Sequence, residues 1–238
     1  MNEKELYEMI NEQEGYRSLA FPALMRKVYV WMALALAITG FTAYGVSTSP
    51  AILQVIVTNR LLFWGLIIGE LGLVMWISAG INRLSLTTAT LLFVLYSVIN
   101  GATMSFIFLM YTMTSVTSVF FITAGTFAVM AFIGYTTKKD LTSLGRLALM
   151  ALIGIIIATL VNVFLTKSGT FDLILSYLGV AVFVGLTAYD SQKIKHMLMT
   201  QEDGGEQAQK IALLGALSLY LDFINLFLYL LRIFGDRK

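Results

Sequence analysis

Apolar residues in this chain come in long blocks separated by short polar punctuation. Seven of these blocks approach or exceed the roughly 20 residues that a helix needs to cross a bilayer. They run from about Val28 to Val46, Leu61 to Ala79, Leu86 to Tyr111, Val116 to Tyr135, Leu147 to Leu165, Leu173 to Tyr189 and Ile211 to Ile233. A further apolar piece, Ala51 to Thr58, follows Pro50 and is too short to span. The breaks carry turn and charge signals: Ser47–Pro50, Asn82–Arg83, Lys138–Lys139–Asp140, Lys167–Ser168–Gly169 and the polar run Gln201 to Gln209. The pattern predicts an all-α membrane protein with one seven-helix domain over 21–235. Asn100, Gly101 and Thr103 predict a kink in the third span. Asp222 and Asn225 make the seventh span the least lipid-like.

Residues 1–20 are polar, with Glu at 3, 5, 8, 12 and 14. A cleavable signal peptide would begin with a basic region and continue into a short apolar core. The segment is therefore expected to be a polar cytoplasmic tail, with the first span acting as an uncleaved anchor.

Composition supports the membrane assignment. Of 238 residues, 58% are hydrophobic and 13% charged, where a soluble domain carries about 45–50% and about 25%. Mean hydropathy is +0.81. The absence of cysteine excludes disulfide scaffolds, zinc–thiolate sites and thiol enzymes. The single histidine, His196, leaves little material for a multi-histidine metal site or a Ser–His triad. A net charge of +2 gives no basic face for nucleic acid.

Orientation follows the distribution of Lys and Arg. The N-terminal segment has Lys4, Arg17, Arg26 and Lys27. The loops after the second, fourth and sixth spans add Arg83, then Lys138, Lys139 and Arg146, then Lys193, Lys195 and Lys210. The opposite loops hold Arg60 and Lys167. The N-terminus is expected in the cytoplasm. Seven full spans would send Arg232, Arg237 and Lys238 across the membrane, whereas a re-entrant last helix would keep them inside.

Most acidic residues lie in the tail or loops, and Asp172 is expected to cap the sixth span. Glu70, Asp190 and Asp222 lie inside spans. An ionised group at bilayer depth costs several kcal/mol, so such residues face the bundle interior and mark pathways or relays. In the seventh span Gly215, Ser218, Asp222, Asn225 and Tyr229 recur every three or four residues and share one helix face. That stripe is expected to face an interior cavity, although Ser218 and Asn225 are also typical helix-packing residues. Asp190 either pairs with Lys193 one turn on or shares a site with Asp222. Two carboxylates in one dry site cannot both ionise cheaply and titrate as a unit. They would also offer oxygens to a hard divalent cation such as calcium, with Asn225 adding an amide oxygen. Glu70 is a candidate pore or relay residue beside a Gly65–Gly69 pair suited to helix packing. Arg83 is either a counter-charge for Asp190 or a plain interfacial anchor.

The run Gly185–Leu186–Thr187–Ala188–Tyr189–Asp190–Ser191–Gln192–Lys193–Ile194–Lys195 resembles the sixth-helix signature of the Bax inhibitor-1 family, the transmembrane BAX inhibitor motif proteins. Leu217–Ser218–Leu219–Tyr220–Leu221–Asp222–Phe223–Ile224–Asn225–Leu226–Phe227, followed by Leu230–Leu231–Arg232–Ile233–Phe234–Gly235, resembles its seventh helix. Met25–Arg26–Lys27–Val28–Tyr29 resembles the bacterial branch. The resemblance implies a seven-helix fold whose last helix is surrounded by the other six, in a bacterial inner membrane. It also implies a pH-sensitive calcium leak, with Asp190 and Asp222 as the proton-sensing pair. A basic residue near Arg83 and an acid near Glu70 correspond to the family only loosely. The acidic insert Glu202–Asp203–Gly204–Gly205–Glu206 is a departure.

The expected function is a cation leak channel, not an enzyme, with no cofactor beyond permeant or weakly bound calcium. Its expected partners are calcium ions, protons, lipid and a possible membrane protein. A proton-coupled exchanger and a membrane-protease regulator are the alternatives, together with an intramembrane aspartyl protease. For the protease, Tyr189–Asp190 fits one half of the motif, but Tyr220–Leu221–Asp222 lacks the Gly-x-Gly-Asp pattern and no Pro-Ala-Leu follows.

Overall fold

The computed structural model describes residues 3–201 and 204–238, with side chains from residue 20 onward except that of Val57. The chain forms α1 (Glu3–Ser47), the short α2 (Pro50–Thr58), α3 (Arg60–Gly80) and α4 (Leu86–Met104). After these come the one-turn α5 (Ile107–Met110), α6 (Met113–Thr136), α7 (Thr142–Val161), α8 (Gly169–Met199) and α9 (Glu206–Phe234). Among the described residues seven segments are long and apolar enough to cross a membrane, and each overlaps one of the seven predicted blocks. The backbone of α1 is helical from Glu3 into the first span. The predicted 1–20 tail falls almost wholly on residues whose side chains lie outside those described.

Several helix starts are set by local chemistry. Asn59, Ser85, Thr112 and Ser168 accept hydrogen bonds from the free backbone N–H groups of α3, α4, α6 and α8. Ser168, not Asp172, therefore caps α8. Asp172 sits in the first turn and instead meets Arg232 of α9 at 3.6 Å. α7 ends in a π-helical turn, Asn162–Thr166. Asn162 there accepts from Ser168 N at 2.9 Å and from the Thr166 hydroxyl at 2.7 Å, which holds Lys167 in a left-handed conformation, φ 48°. The predicted irregularity in the third span is a break at Ser105–Phe106, just past the Asn100–Thr103 cluster.

Burial separates the spans. In α9, 67% of the most apolar window is buried, against 6% in α3 and 17% in α7–π turn. Four spans pack directly on α9, namely α1, α4, α6 and α8, while α3 packs chiefly on α4 and α7 on α8. The last helix is thus the most buried, with four close neighbours in place of the expected ring of six.

α9 is one uninterrupted helix from Glu206 to Phe234, without the turn a re-entrant segment would need. Its start lies beside α1, where Lys27 Nζ donates to Gln209 at 3.0 Å. Beyond its end, Tyr111 and Arg237 form an antiparallel bridge, flanked by Thr112 N to Asp236 O at 3.1 Å and Lys238 N to Met110 O at 3.0 Å. The C-terminus is therefore strapped to the α5–α6 connection, at the opposite end of the bundle from Lys27.

Candidate functional site

The polar stripe of α9 faces α8. A Cβ at Gly215 would lie 3.0 Å from Ile194, and the Ser218 hydroxyl donates to Asp190 Oδ2 at 2.5 Å. Tyr229 stacks tilted on Phe183 at 5.8 Å and lies so close over Gly179 that a Cβ there would meet its ring at 2.7 Å. The expected interior cavity in front of this stripe is replaced by a helix–helix seam. Its antiparallel register puts Asp190 level with Ser218. Asp222 lies one turn further along, about 6 Å at 1.5 Å per residue.

Asp222 is 5% exposed, and its Oδ2 is buried without a hydrogen-bond partner among the described residues. Asp190 is half-buried and is the charged group whose field reaches Asp222. No hydrogen bond joins the two carboxylates. Asp190 is instead held by Ser218, with Lys193 near enough to act on it electrostatically. Lys193 makes no ion pair with it within 4.0 Å, because its ammonium lies 5.7 Å over the Tyr189 ring. Asn225 donates its amide to Leu221 O at 2.8 Å, one turn back on its own helix. Arg83 is exposed in the α3–α4 turn and is not brought to Asp190. Among the described residues no group of three or more His, Asp or Glu could hold a metal ion. The Asp190–Asp222 pair thus offers a cation carboxylates from two residues only.

The end of α8 is pinned by the motif residues that follow Asp190. The Ser191 hydroxyl donates to Ala131 O at 2.8 Å and contacts the Tyr29 hydroxyl at 3.3 Å. Gln192 accepts from Leu141 N at 2.9 Å and donates to Lys139 O at 2.8 Å, tying α8 to the α6–α7 connection. Close approach of α6 needs Gly134, where any Cβ would run into the Ala188 backbone. Ser191 and Gln192 were visible in the motif but carried no chemistry that singled them out, and Gly134 lies outside it. In that connection Asp140 accepts from Thr142 N at 2.8 Å, and the Thr142 hydrogen bonds hold its carboxyl below the usual range. Of the acidic insert, Glu202 and Asp203 lie outside the described residues. Glu206 accepts from Leu86 N at 3.2 Å and pairs with Lys210 at 3.0 Å.

Glu70 stands elsewhere, at the α3–α4 contact. Its Oε1 accepts from the Thr103 hydroxyl at 2.6 Å and its Oε2 from Asn100 Nδ2 at 3.3 Å. Asn100 Oδ1 accepts from the Tyr220 hydroxyl at 2.9 Å, and Tyr220 meets the Thr39 hydroxyl at 2.7 Å. Ser97 O lies 3.0 Å from the Thr39 hydroxyl, whose single proton goes either to it or to Tyr220. A polar chain therefore crosses α3, α4, α9 and α1. Asn100 and Thr103 stood out in the sequence only as kink residues, and Tyr220 and Thr39 gave no signal among aromatic and small neighbours. The Gly65–Gly69 pair packs no helix closely among the described residues, since a Cβ at either position meets nothing within 4 Å there.

The family model described as "Inhibitor of apoptosis-promoting Bax1" matches residues 22–238. The chain belongs to the Bax inhibitor-1 family. It is 49% identical over 222 residues to the "Inner membrane protein YbhL" of Escherichia coli K12, covering 90% of this chain and 92% of that one. A Borreliella burgdorferi protein is 45% identical over 226 residues, with 95% and 97% covered. A Rickettsia prowazekii protein is 43% identical over 217 residues, with 90% and 89% covered. As a Bax inhibitor-1 family member with seven helices of spanning length, the chain is a membrane protein.

Proposed function

We propose that this Bax inhibitor-1 family protein is a pH-sensitive calcium leak channel gated at the Asp190–Asp222 pair. The observation that carries the reading is the buried Asp222 Oδ2, which has no partner inside the bundle. A buried carboxylate without donors forfeits its hydration uncompensated, at a cost of several kcal/mol. Relief comes from a proton or a cation, and both compete for the same oxygens. Asp190, one turn away on the facing helix, couples the two events because the pair titrates together.

The α8–α9 seam is packed on both sides of the carboxylates, by Ile194 on Gly215 and by Tyr229 on Gly179. Conduction in this reading requires α8 and α9 to separate around Asp222, and protonation state sets how readily they do. With two carboxylate residues and no third acid, calcium is a passing ion rather than a resident cofactor. The distribution of Lys and Arg supports a cytoplasmic N-terminus, which puts the strapped C-terminus on the far side of the membrane.

The test is calcium flux into dye-loaded liposomes across a pH series. Wild type should show flux that changes with pH, and Asp222→Asn should abolish that dependence. Unaltered pH-dependent flux in Asp222→Asn overturns the proposal. Stoichiometric proton counter-movement during flux would make the protein an exchanger instead.

A further inference from the structure

α1 and α6 stand apart along most of their length, and α9 forms the floor between them. Two continuous hollows fill the gap, about 700 Å³ toward α5 and about 610 Å³ toward the N-terminal end of α1. They share Leu36, Phe120 and Phe223, so they adjoin end to end along the cleft between α1 and α6 and are taken together as one groove. Phe223 on the floor sits 5.5 Å from both Phe120 and Phe127. Along α1 the groove runs from Pro22 to Tyr44, about 33 Å at 1.5 Å per residue, close to the roughly 30 Å of a bilayer's hydrocarbon core. Gly40 lines it with open space where a Cβ would stand.

The groove is charged at one end. Arg26 lies on its rim, exposed, with no hydrogen bond or ion pair to another described residue. At the same end Lys195 donates to Tyr135 O at 2.8 Å and lies 5.1 Å over that ring, while Phe21 stacks on Tyr135 at 6.3 Å. This end of the bundle therefore presents two cations, one of them unpaired, above an apolar trough of acyl-chain length.

We propose that the α1–α6 groove is a binding site for an anionic phospholipid, its phosphate on Arg26 and one acyl chain lying against Phe223. Basic residues above a cleft between membrane helices attract anionic headgroups. Guanidinium binds phosphate in a forked geometry that an ammonium cannot match. A second copy of the chain fits the charge poorly, because a transmembrane helix laid in the trough would cover Arg26 without neutralising it. The lipid also has a consequence for the neighbouring helix. Phe223 follows Asp222 directly in the chain, so an occupied groove braces α9 at the level of its buried carboxylate.

The experiment is native mass spectrometry of the purified full chain, equilibrated with phosphatidylglycerol and phosphatidylcholine of matched acyl chains. Wild type should retain one phosphatidylglycerol per chain in preference to phosphatidylcholine. Arg26→Gln should lower phosphatidylglycerol retention about tenfold, the worth of one charge-assisted phosphate contact. Ala128→Phe fills the trough with Arg26 intact and should lower retention of both lipids. Arg60→Gln, an exposed arginine away from the groove, should change nothing. Equal retention of the two lipids, or wild-type retention in Arg26→Gln, overturns the proposal. The chain has no cysteine, so Ala128→Cys gives a clean second reading. It should stay monomeric on oxidation in vesicles, and a disulfide dimer would assign the groove to a second copy and overturn the lipid.

Discussion

Two sites in this bundle hold an intramembrane acid, and they are built in opposite ways. At the α3–α4 contact, each oxygen of Glu70 accepts a hydrogen bond, and the network continues through Asn100 and Tyr220 to Thr39. At the α8–α9 seam, Asp190 is held by one serine and Asp222 has a buried oxygen with no partner. By residue type and depth the two sites look equivalent. The physical difference lies in where desolvation is compensated. Glu70 has replaced part of its water with one fixed donor on each oxygen, and through Asn100 it is linked to four helices. Asp222 Oδ2 has lost water and found no donor among the described residues, so its desolvation is left uncompensated.

The sharpest way to break this comparison is to neutralise each acid in turn. Asp222→Asn is expected to remove the pH dependence of liposome flux. Glu70→Gln is expected to leave the profile in place and to cost about 1 kcal/mol in unfolding stability, the worth of a typical hydrogen bond. If Glu70→Gln moved the pH profile as far as Asp222→Asn, the distinction would collapse. Next in size is Ser218→Ala, which strips Asp190 of its donor. A bond to an ionised group is worth about 1.5–3 kcal/mol, so the midpoint of the flux profile should be displaced by about one to two pH units. An unmoved midpoint would remove Asp190 from the gate.

Tyr220→Phe tests the other side of the comparison. It deletes two interhelical hydrogen bonds, which in membranes average about 0.6 kcal/mol each and reach about 1.7 kcal/mol. Thermal unfolding in detergent should show a loss of about 1–2 kcal/mol, with no change in pH dependence. The smallest effect is expected at Asp140, outside the membrane. Its carboxyl is held below the usual range by Thr142, so its stabilisation is complete above the ordinary carboxylate pKa and is lost as pH falls through the lowered value. Asp140→Asn should melt slightly earlier than wild type at neutral pH, and the gap should close in acid. A gap that persisted in acid would show that the carboxylate charge is not its source.

Spans, helix order and the three intramembrane acids were legible in the sequence, because the energy of placing a side chain in hydrocarbon depends on that residue and its immediate neighbours. The stripe on the last helix was legible too, since Gly215 to Tyr229 follow helical periodicity. What the stripe faces was not. Ser218 meets Asp190 across 28 residues of chain, Tyr220 meets Asn100 across 120 and Thr39 across 181. Register between helices is a property of pairs, and a hydropathy pattern describes one helix at a time.

The seven apolar blocks of spanning length, and the three acids Glu70, Asp190 and Asp222 inside them, were written in the chain itself. Packing decided that each oxygen of Glu70 meets a donor while Asp222 Oδ2 meets none among the described residues. It likewise decided that the C-terminus is strapped to the α5–α6 connection, and that α1 and α6 leave a lipid-sized groove between them. Each of these depends on how helices distant in sequence are packed, and packing is settled by shape and by shared hydrogen bonds that no single segment contains.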